Sequence, residues 1–368
     1  MPIDRRLLRH FEWTLPLLAL VVSGTGIATV YSATYVPGSV GLSGFTLRQL
    51  ASLALGLGGM VAVLAFDYRR LDRGAALVYT LALGAVLLVP VLGRIGGGSR
   101  RWIRIGPMSL QPSEFMKLAL VIFLAHHFAR LRDVRPGLRD AVVPLVAAAV
   151  PAVVILAQPD LGSAAVLGFV LLTMLVLGGL RLRVLGAMAA PIAVLAPFLW
   201  RHLKPYQQRR IATFLDPDTD PLGAGYHIIQ SKIAVGSGMT WGKGFLQGTQ
   251  NHLNFLPEHH TDFIFSVFAE EWGFVGCVVL MVLYLLLVLR GLAIAQRARD
   301  RFGILLCLGV MSVIFWQVVI NVGMVTGLLP VVGIPLPFFS YGGSSMLCLL
   351  IGVGLVMNVA MRRYTMRR

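Results

Sequence analysis

Residues 254–274, NFLPEHHTDFIFSVFAEEWGF, bring Glu258, His259, His260, Asp262, Glu270 and Glu271 together at the start of a long apolar run. Acids are scarce elsewhere, since the 368-residue chain has only 16 Asp and Glu. Three kinds of chemistry use such groups: metal ligation, helix capping and proton transfer by a carboxylate. His252, His259, His260 and Asp262 are ligand types. Adjacent histidines on a helix diverge by about 100°, however, and the HExxH spacing is absent, which argues against a protein-built metal site. Thr261 or Asp262 suits the cap of the following helix, whose positive end favours an acid. Capping leaves Asp262 able to act as a general base.

Other stretches carry ionisable groups in suggestive patterns. GRIGGGSRRWIRIGPMSLQPSEFMK (93–117) sets Arg94, Arg100, Arg101 and Arg104 beside Gly96–Gly98 and Trp102. Guanidinium forks match phosphate oxygens, so this stretch suits a lipid diphosphate; arginines resting on lipid head groups are the plainer alternative. Glu114 and Lys117 are three residues apart and share a helical face. They form either an intramembrane ion pair that locks helices or, with Lys117 in a cavity wall, a contact for substrate. In QPDLGSA (158–164), Asp160 is first a helix cap and secondarily a substrate contact. Gln111, Arg48, Arg210 and Ser340 join Glu114, Lys117, Arg101 and Asp160 as residues expected to bind substrate or line its cavity. Ser340 belongs to PLPFFSYGGSS (335–345), which reads as a turn that opens the last helix and shapes the site.

Membrane helices must position these groups. The chain is 57% hydrophobic and 13% charged, with a mean hydropathy of +0.79, which is too apolar for an ordinary soluble fold. Apolar stretches of roughly 18–24 residues fit a helix crossing about 30 Å of hydrocarbon. Ten are expected, at about 13–33, 47–66, 74–92, 112–129, 141–157, 160–179, 184–200, 270–289, 303–327 and 338–361. They are too long and too continuously apolar for barrel strands. The expected fold is an all-α polytopic membrane protein, a single membrane domain over 1–368. Cys277, Cys307 and Cys348 all fall inside spans, so no disulfide framework is implied. The basic start MPIDRRLLRH reads as the flank of an uncleaved first helix.

Charge then orients the spans. Most lysines and arginines fall in the termini and near 67–73, 130–140, 180–183 and 290–302. The positive-inside rule places those segments, and both termini, in the cytoplasm. The net charge of +16 therefore reflects topology and anionic lipid, and no nucleic-acid partner is inferred. External loops are expected at about 93–111 and 201–261, the larger between the seventh and eighth spans. That loop holds a basic amphipathic piece, an Asp/Pro-rich turn, the helix-like AGYHIIQSKIAV and glycines at 236, 238, 242, 244 and 248. Short helices at the outer interface are expected there, and the glycines match no phosphate-binding fingerprint. Counting back from a cytoplasmic end near Leu289 puts Asp262 roughly 12 Å beyond Glu270 at helical rise, near the outer interface.

The stretches GGGSRRWIRIGPMSLQPSEFMKLAL, FLDPDTDPLGAGYHIIQSKIAVGSG, GKGFLQGTQNHLNFLPEHHTDFIFSVFAEEWGFVG and GIPLPFFSYGGSS resemble the SEDS family across essentially the whole chain. The resemblance is to members acting in cell elongation rather than division. It implies a peptidoglycan glycosyltransferase that polymerises lipid II on the outer face of the bacterial cytoplasmic membrane. It further implies that Asp262 is the essential carboxylate and that Glu114 and Lys117 form a functional acid–base pair. The partners implied are lipid II with the growing glycan strand, a class B penicillin-binding protein transpeptidase and other elongation-complex membrane proteins. No cofactor is required by the reading, although a divalent cation, Mg or Mn, would suit the diphosphate.

The chemistry agrees with those residue types. An α-linked donor yielding a β-1,4 bond inverts at the anomeric carbon, so one displacement suffices. A single carboxylate takes the acceptor proton, and cations replace the acid that glycoside hydrolysis needs, because diphosphate already leaves readily. Two other classes are compatible with ten helices: a lipid flippase using Glu114 and Lys117, and a non-catalytic scaffold.

Overall fold

Among the described residues the regular elements run from helix α1 (Thr14–Ala33) through α2 (Gly44–Ala65) and α3 (Arg69–Leu92). A small sheet follows, of β1 (Arg94–Gly96), β2 (Ser99–Ile105) and β3 (Met108–Leu110). The chain continues through α4 (Pro112–Arg130), α5 (Leu138–Ala157), α6 (Leu161–Leu177), α7 (Pro205–Leu215) and α8 (Ala224–Ser237). It finishes with α9 (Ile264–Arg297), α10 (Arg301–Val325) and α11 (Gly343–Arg362). The computed structural model describes residues 11–35, 41–96, 99–105, 108–131, 137–181, 183–187, 201, 205–216, 224–249 and 260–363.

Helices α1, α2, α3, α5, α9, α10 and α11 are long and apolar enough to cross a membrane. Helix α6 is a shorter apolar helix, and α4 fills the expected 112–129 span with Glu114 and Lys117 inside it. The expected span at 184–200 lies outside the described residues from 188 onward. The chain is thus a polytopic, predominantly helical membrane protein, as its apolar runs require.

Local signals explain where several helices start. Ser43 caps α2 by accepting from Thr46 N–H at 3.2 Å, Asp160 caps α6, and Asp300 caps α10. Pro112 occupies the first turn of α4, where its missing N–H costs nothing. Helix α11 lies at the centre of the bundle, buried along nearly its whole length, whereas α3 is peripheral and has few buried residues. Phe339 at 0% and Phe128 at 0% exposure show how fully the interior excludes solvent and lipid.

The 93–111 segment is an antiparallel meander in the order β1-β2-β3. Ile103 pairs with Leu110, and Arg94 with Trp102. Strand alternation separates the arginines. Arg100 and Arg104 are exposed, while Arg101 turns inward and is half-buried.

Helix α9 is longer than its expected span and is interrupted at Gly273 (φ 63°). A loop after α8 fills the break. The N–H groups of Phe274 and Val275 donate to the carbonyls of Met239 (2.8 Å) and Thr240 (3.1 Å). The carbonyls of Glu270 and Glu271 accept from Lys243 N–H (2.9 Å) and Gly244 N–H (3.0 Å). The backbone groups freed by the break are thereby satisfied, as burial requires. A Cβ on Gly242 would lie 2.1 Å from the Glu271 carbonyl oxygen, so only glycine permits this approach. Gly238 makes the same close approach to the Ala269 carbonyl oxygen, which a Cβ there would meet at 2.0 Å. Glu270 fastens the same loop through Oε1, which accepts from Lys243 Nζ (2.5 Å), Thr249 N–H (2.9 Å) and Thr249 Oγ1 (2.9 Å). Glu271 accepts from the Ser32 hydroxyl of α1.

Candidate active site

Asp262 stands in the turn that leads into α9, half-buried. The cap position of α9 falls on Phe263, which has no side-chain cap bond, and Thr261 and Asp262 stand in the turn just before it. The main chain of Asp262 is gripped from α10. Asn321 of α10, fully buried, donates its Nδ2 to the Asp262 carbonyl at 3.0 Å and to the Ile334 carbonyl at 2.7 Å. A Cβ on Gly333 (φ +72°) would sit 3.0 Å from Asp262 Oδ2, so this glycine makes room for the carboxylate. Tyr341 N–H donates to the His260 carbonyl at 3.0 Å, tying the same turn to the start of α11. His252, His259 and Glu258 lie outside the described residues.

A second cluster forms where α4, α6 and α11 begin. Asp160, buried, accepts from Ser163 N–H at 3.0 Å and from Gln111 Nε2 at 3.0 Å. Gln111 N–H donates to Ser344 Oγ at 2.9 Å, and Ser344 Oγ donates to the Ser109 carbonyl at 3.1 Å. Three helix N-termini therefore converge with their positive ends, an arrangement that favours an anion. Arg101 adds charge while bolting β2 to this turn. Its Nε donates to the Gln158 carbonyl at 3.2 Å, and its Nη2 donates to the Pro159 carbonyl.

The two clusters share a wall. A Cβ on Gly162 would meet the Val332 carbonyl at 2.8 Å and the Gly333 carbonyl at 3.2 Å. Residues 332–334 thus run between the first turn of α6 and the Asp262 turn.

Lys117 Nζ lies 2.6 Å from Glu114 Oε1, with 2% and 4% of the side chains exposed. The adjoining cavity, shared with Val310, Val313 and Cys348, is about 20 Å³, room for about one water. In this conformation the pair is a sealed ion pair and not the wall of a substrate-sized cavity. A cavity of about 290 Å³ lies elsewhere, lined by Val63, Phe66, Tyr68, Leu118, Ile122 and Ile351 among others. It is apolar and contains none of the candidate residues.

The remaining expected residues divide. Arg48 is exposed on α2, and Arg210 is half-buried on α7. Ser340 is occupied by its own turn: its Oγ accepts from Leu336 N–H at 2.7 Å and its carbonyl accepts from Gln49 Nε2 at 2.9 Å. It shapes the loop before α11. Among the described residues no cluster of three or more His, Cys, Asp or Glu is placed to hold a metal. Asn321, Gly333 and Gln49 were missed in the sequence. A polar amide inside an apolar span was the available signal for Asn321.

Comparison with known proteins gives a consistent picture. The chain matches the FtsW/RodA/SpoVE family, described as cell cycle protein, over residues 12–365. It is 42% identical to the peptidoglycan glycosyltransferase MrdB of Escherichia coli K12 over 357 residues, covering 96% of this chain and 94% of that protein. Among solved structures it is similar to a chain from a study of polymerization and crosslinking by a peptidoglycan synthase complex. There the TM-score is 0.82 and the identity 34%, covering 96% of this chain and 99% of the other. The rod shape determining protein RodA of Thermus thermophilus matches with TM-score 0.71 and 31% identity, over 96% and 98% of the two chains.

Proposed function

The chain belongs to the FtsW/RodA/SpoVE family of cell cycle proteins, and from that footing we propose how its geometry polymerises glycan. It is a peptidoglycan glycosyltransferase of the RodA type that joins lipid II units during elongation and rod-shape maintenance. Asp262 is the base. It takes the proton from the 4-hydroxyl of the acceptor N-acetylglucosamine as that oxygen bonds to the donor anomeric carbon. The bond from that carbon to the diphosphate oxygen breaks, the configuration inverts, and undecaprenyl diphosphate leaves. The observation that carries this reading is the half-buried Asp262 carboxylate, fixed through its main chain by Asn321 and seated against Gly333.

The converging starts of α4, α6 and α11, with Arg101 at their edge, suit the diphosphate. Preorganised donors aimed at developing charge are a large term in such reactions. Lys117 contributes as a fixed charge behind Glu114. A divalent ion, Mg or Mn, would suit the diphosphate by offsetting its charge. The site faces the outer side of the bacterial inner membrane, and both termini are cytoplasmic. The partner is a class B penicillin-binding protein transpeptidase within a larger elongation complex, and the similarity to a chain of a peptidoglycan synthase complex supports that assembly.

Purified chain supplied with lipid II tests the base. Asp262→Asn should make no glycan polymer while retaining its fold and its partner. Polymer formed at the wild-type rate would overturn the assignment.

A further inference from the structure

Three aromatic rings from separate segments meet beside the Asp262 turn. Phe45 is in the first turn of α2, His260 is two residues before Asp262, and Tyr341 is two residues before α11. Ring centroids are 4.6 Å apart for Phe45–His260, 5.2 Å for Phe45–Tyr341 and 5.7 Å for His260–Tyr341. Hydrogen bonds tie the segments that carry the rings to one another and to their neighbours. Tyr341 N–H donates to the His260 carbonyl (3.0 Å), and Gly342 N–H donates to Gln49 Oε1 (3.1 Å). The start of α2 is tied to the end of α1 by the hydroxyls of Ser43 and Thr34, 2.6 Å apart.

Packing alone explains this cluster poorly. Phe339 and Phe268, which do pack, are 0% and 5% exposed, whereas Phe45 keeps 39% of its surface open. His260 and Tyr341 are half-buried. The flank of α2 that carries Phe45 also carries exposed Arg48 and then Ser52. Ser52 Oγ lies 3.0 Å from where a Cβ on Gly343 would be. This flank therefore runs down onto the start of α11 at Ser52.

We propose that Phe45, His260 and Tyr341 form a stacking platform for a pyranose ring of the sugar substrate, with Arg48 beside it. A pyranose presents polarised C–H groups on its face, which suit the negative face of an aromatic ring. Its hydroxyls project sideways, toward groups such as Arg48 and the polar edges of His260 and Tyr341. Rings fixed in advance lose little freedom on binding. The platform rests on Asp262 being the reactive centre, because it is the short step from His260 to Asp262 that brings a stacked sugar to the base.

The test uses the full chain carrying Asp262→Asn in nanodiscs, with a lipid-free N-acetylglucosamine–N-acetylmuramic acid disaccharide as probe. Saturation-transfer NMR should show contact to pyranose ring protons. Phe45→Leu, which keeps apolar bulk but removes the π-face, should weaken that contact about threefold or more, and Phe45→Trp should restore it. Tyr341→Leu should weaken it independently. With Asp262 intact, Phe45→Leu should raise KM for lipid II by about 3–10-fold while kcat stays within about twofold. No contact to the disaccharide, or an unchanged contact and KM in Phe45→Leu and Tyr341→Leu, would overturn the platform. So would a loss of polyprenyl phosphate binding with the disaccharide contact unmoved, which would mark a lipid-tail contact. Should Asp262→Asn prove active, the base assignment fails, but the disaccharide comparison still decides the platform.

Discussion

Asp262 is gripped from outside its own helix, whereas Glu114 and Lys117 grip each other within one. Asn321 and Gly333 come from α10 and the loop after it, about 60 and 70 residues downstream in a chain that folds back to Asp262. The Glu114–Lys117 contact needs only one turn of α4. Exposure differs in the same sense, since Asp262 is half-buried and the pair is sealed. A carboxylate that must meet a succession of substrates stays accessible when it is positioned through its main chain. A pair that sets a field can be closed off from solvent, because its charge acts without contact.

Substitutions should separate these two modes of support. The largest effect is expected for Asp262→Asn, which should lower kcat for lipid II polymerisation by at least about 100-fold with an unchanged melting temperature. Lys117→Met should do the reverse in kind. Leaving Glu114 buried and unpaired should cost about 3–5 kcal/mol of stability, and a thermal-shift assay would read this as a large drop. Joining Lys117→Met with Glu114→Leu should recover much of that stability. Activity that stays low in the double variant would show that the pair's field matters, while full recovery would reduce the pair to a structural lock.

Asn321→Leu comes next. It strips two buried carbonyls of their donor, at about 1–3 kcal/mol. A base displaced by about 1 Å loses up to about 100-fold in rate, so kcat should fall more than KM changes. A loss confined to stability would show that Asn321 does not position the base. Glu270→Gln should weaken the loop that fills the break in α9, read as faster proteolysis of residues 238–249 with a smaller change in rate. The smallest effect belongs to Tyr68→Phe, at the turn between α2 and α3. Burial first, and then its bond to Asp300, push the Tyr68 hydroxyl above the usual phenol range, so it remains a donor. Its loss should cost about 1 kcal/mol and leave polymerisation unchanged.

Much of this was legible in the residues. Apolar run lengths marked out the spans, and QPDLGSA gave the Asp160 cap that α6 uses. The i,i+3 spacing announced the Glu114–Lys117 pair, because helical periodicity is a local rule. The 93–111 loop was legible in its charge but not in its form. Its strand alternation sends Arg101 inward and Arg100 outward, a division that follows from pairing with β1 and β3. The glycines of the large loop had no evident purpose until α9 proved to be broken at Gly273. Ser340, read as part of a turn that opens the last helix, closes that turn through its own hydroxyl.

The sequence by itself determined what depends on neighbours along the chain: the membrane class, the helices, their caps, and the short-range ion pair. Its motifs also pointed to Asp262 through family resemblance. Only the tertiary structure decided which groups hold that carboxylate, which arginine turns inward, and how Phe45, His260 and Tyr341 come to share one surface. Those contacts join residues separated by tens to hundreds of positions. Such meetings are set by helix packing and by close backbone approach, which no local pattern encodes.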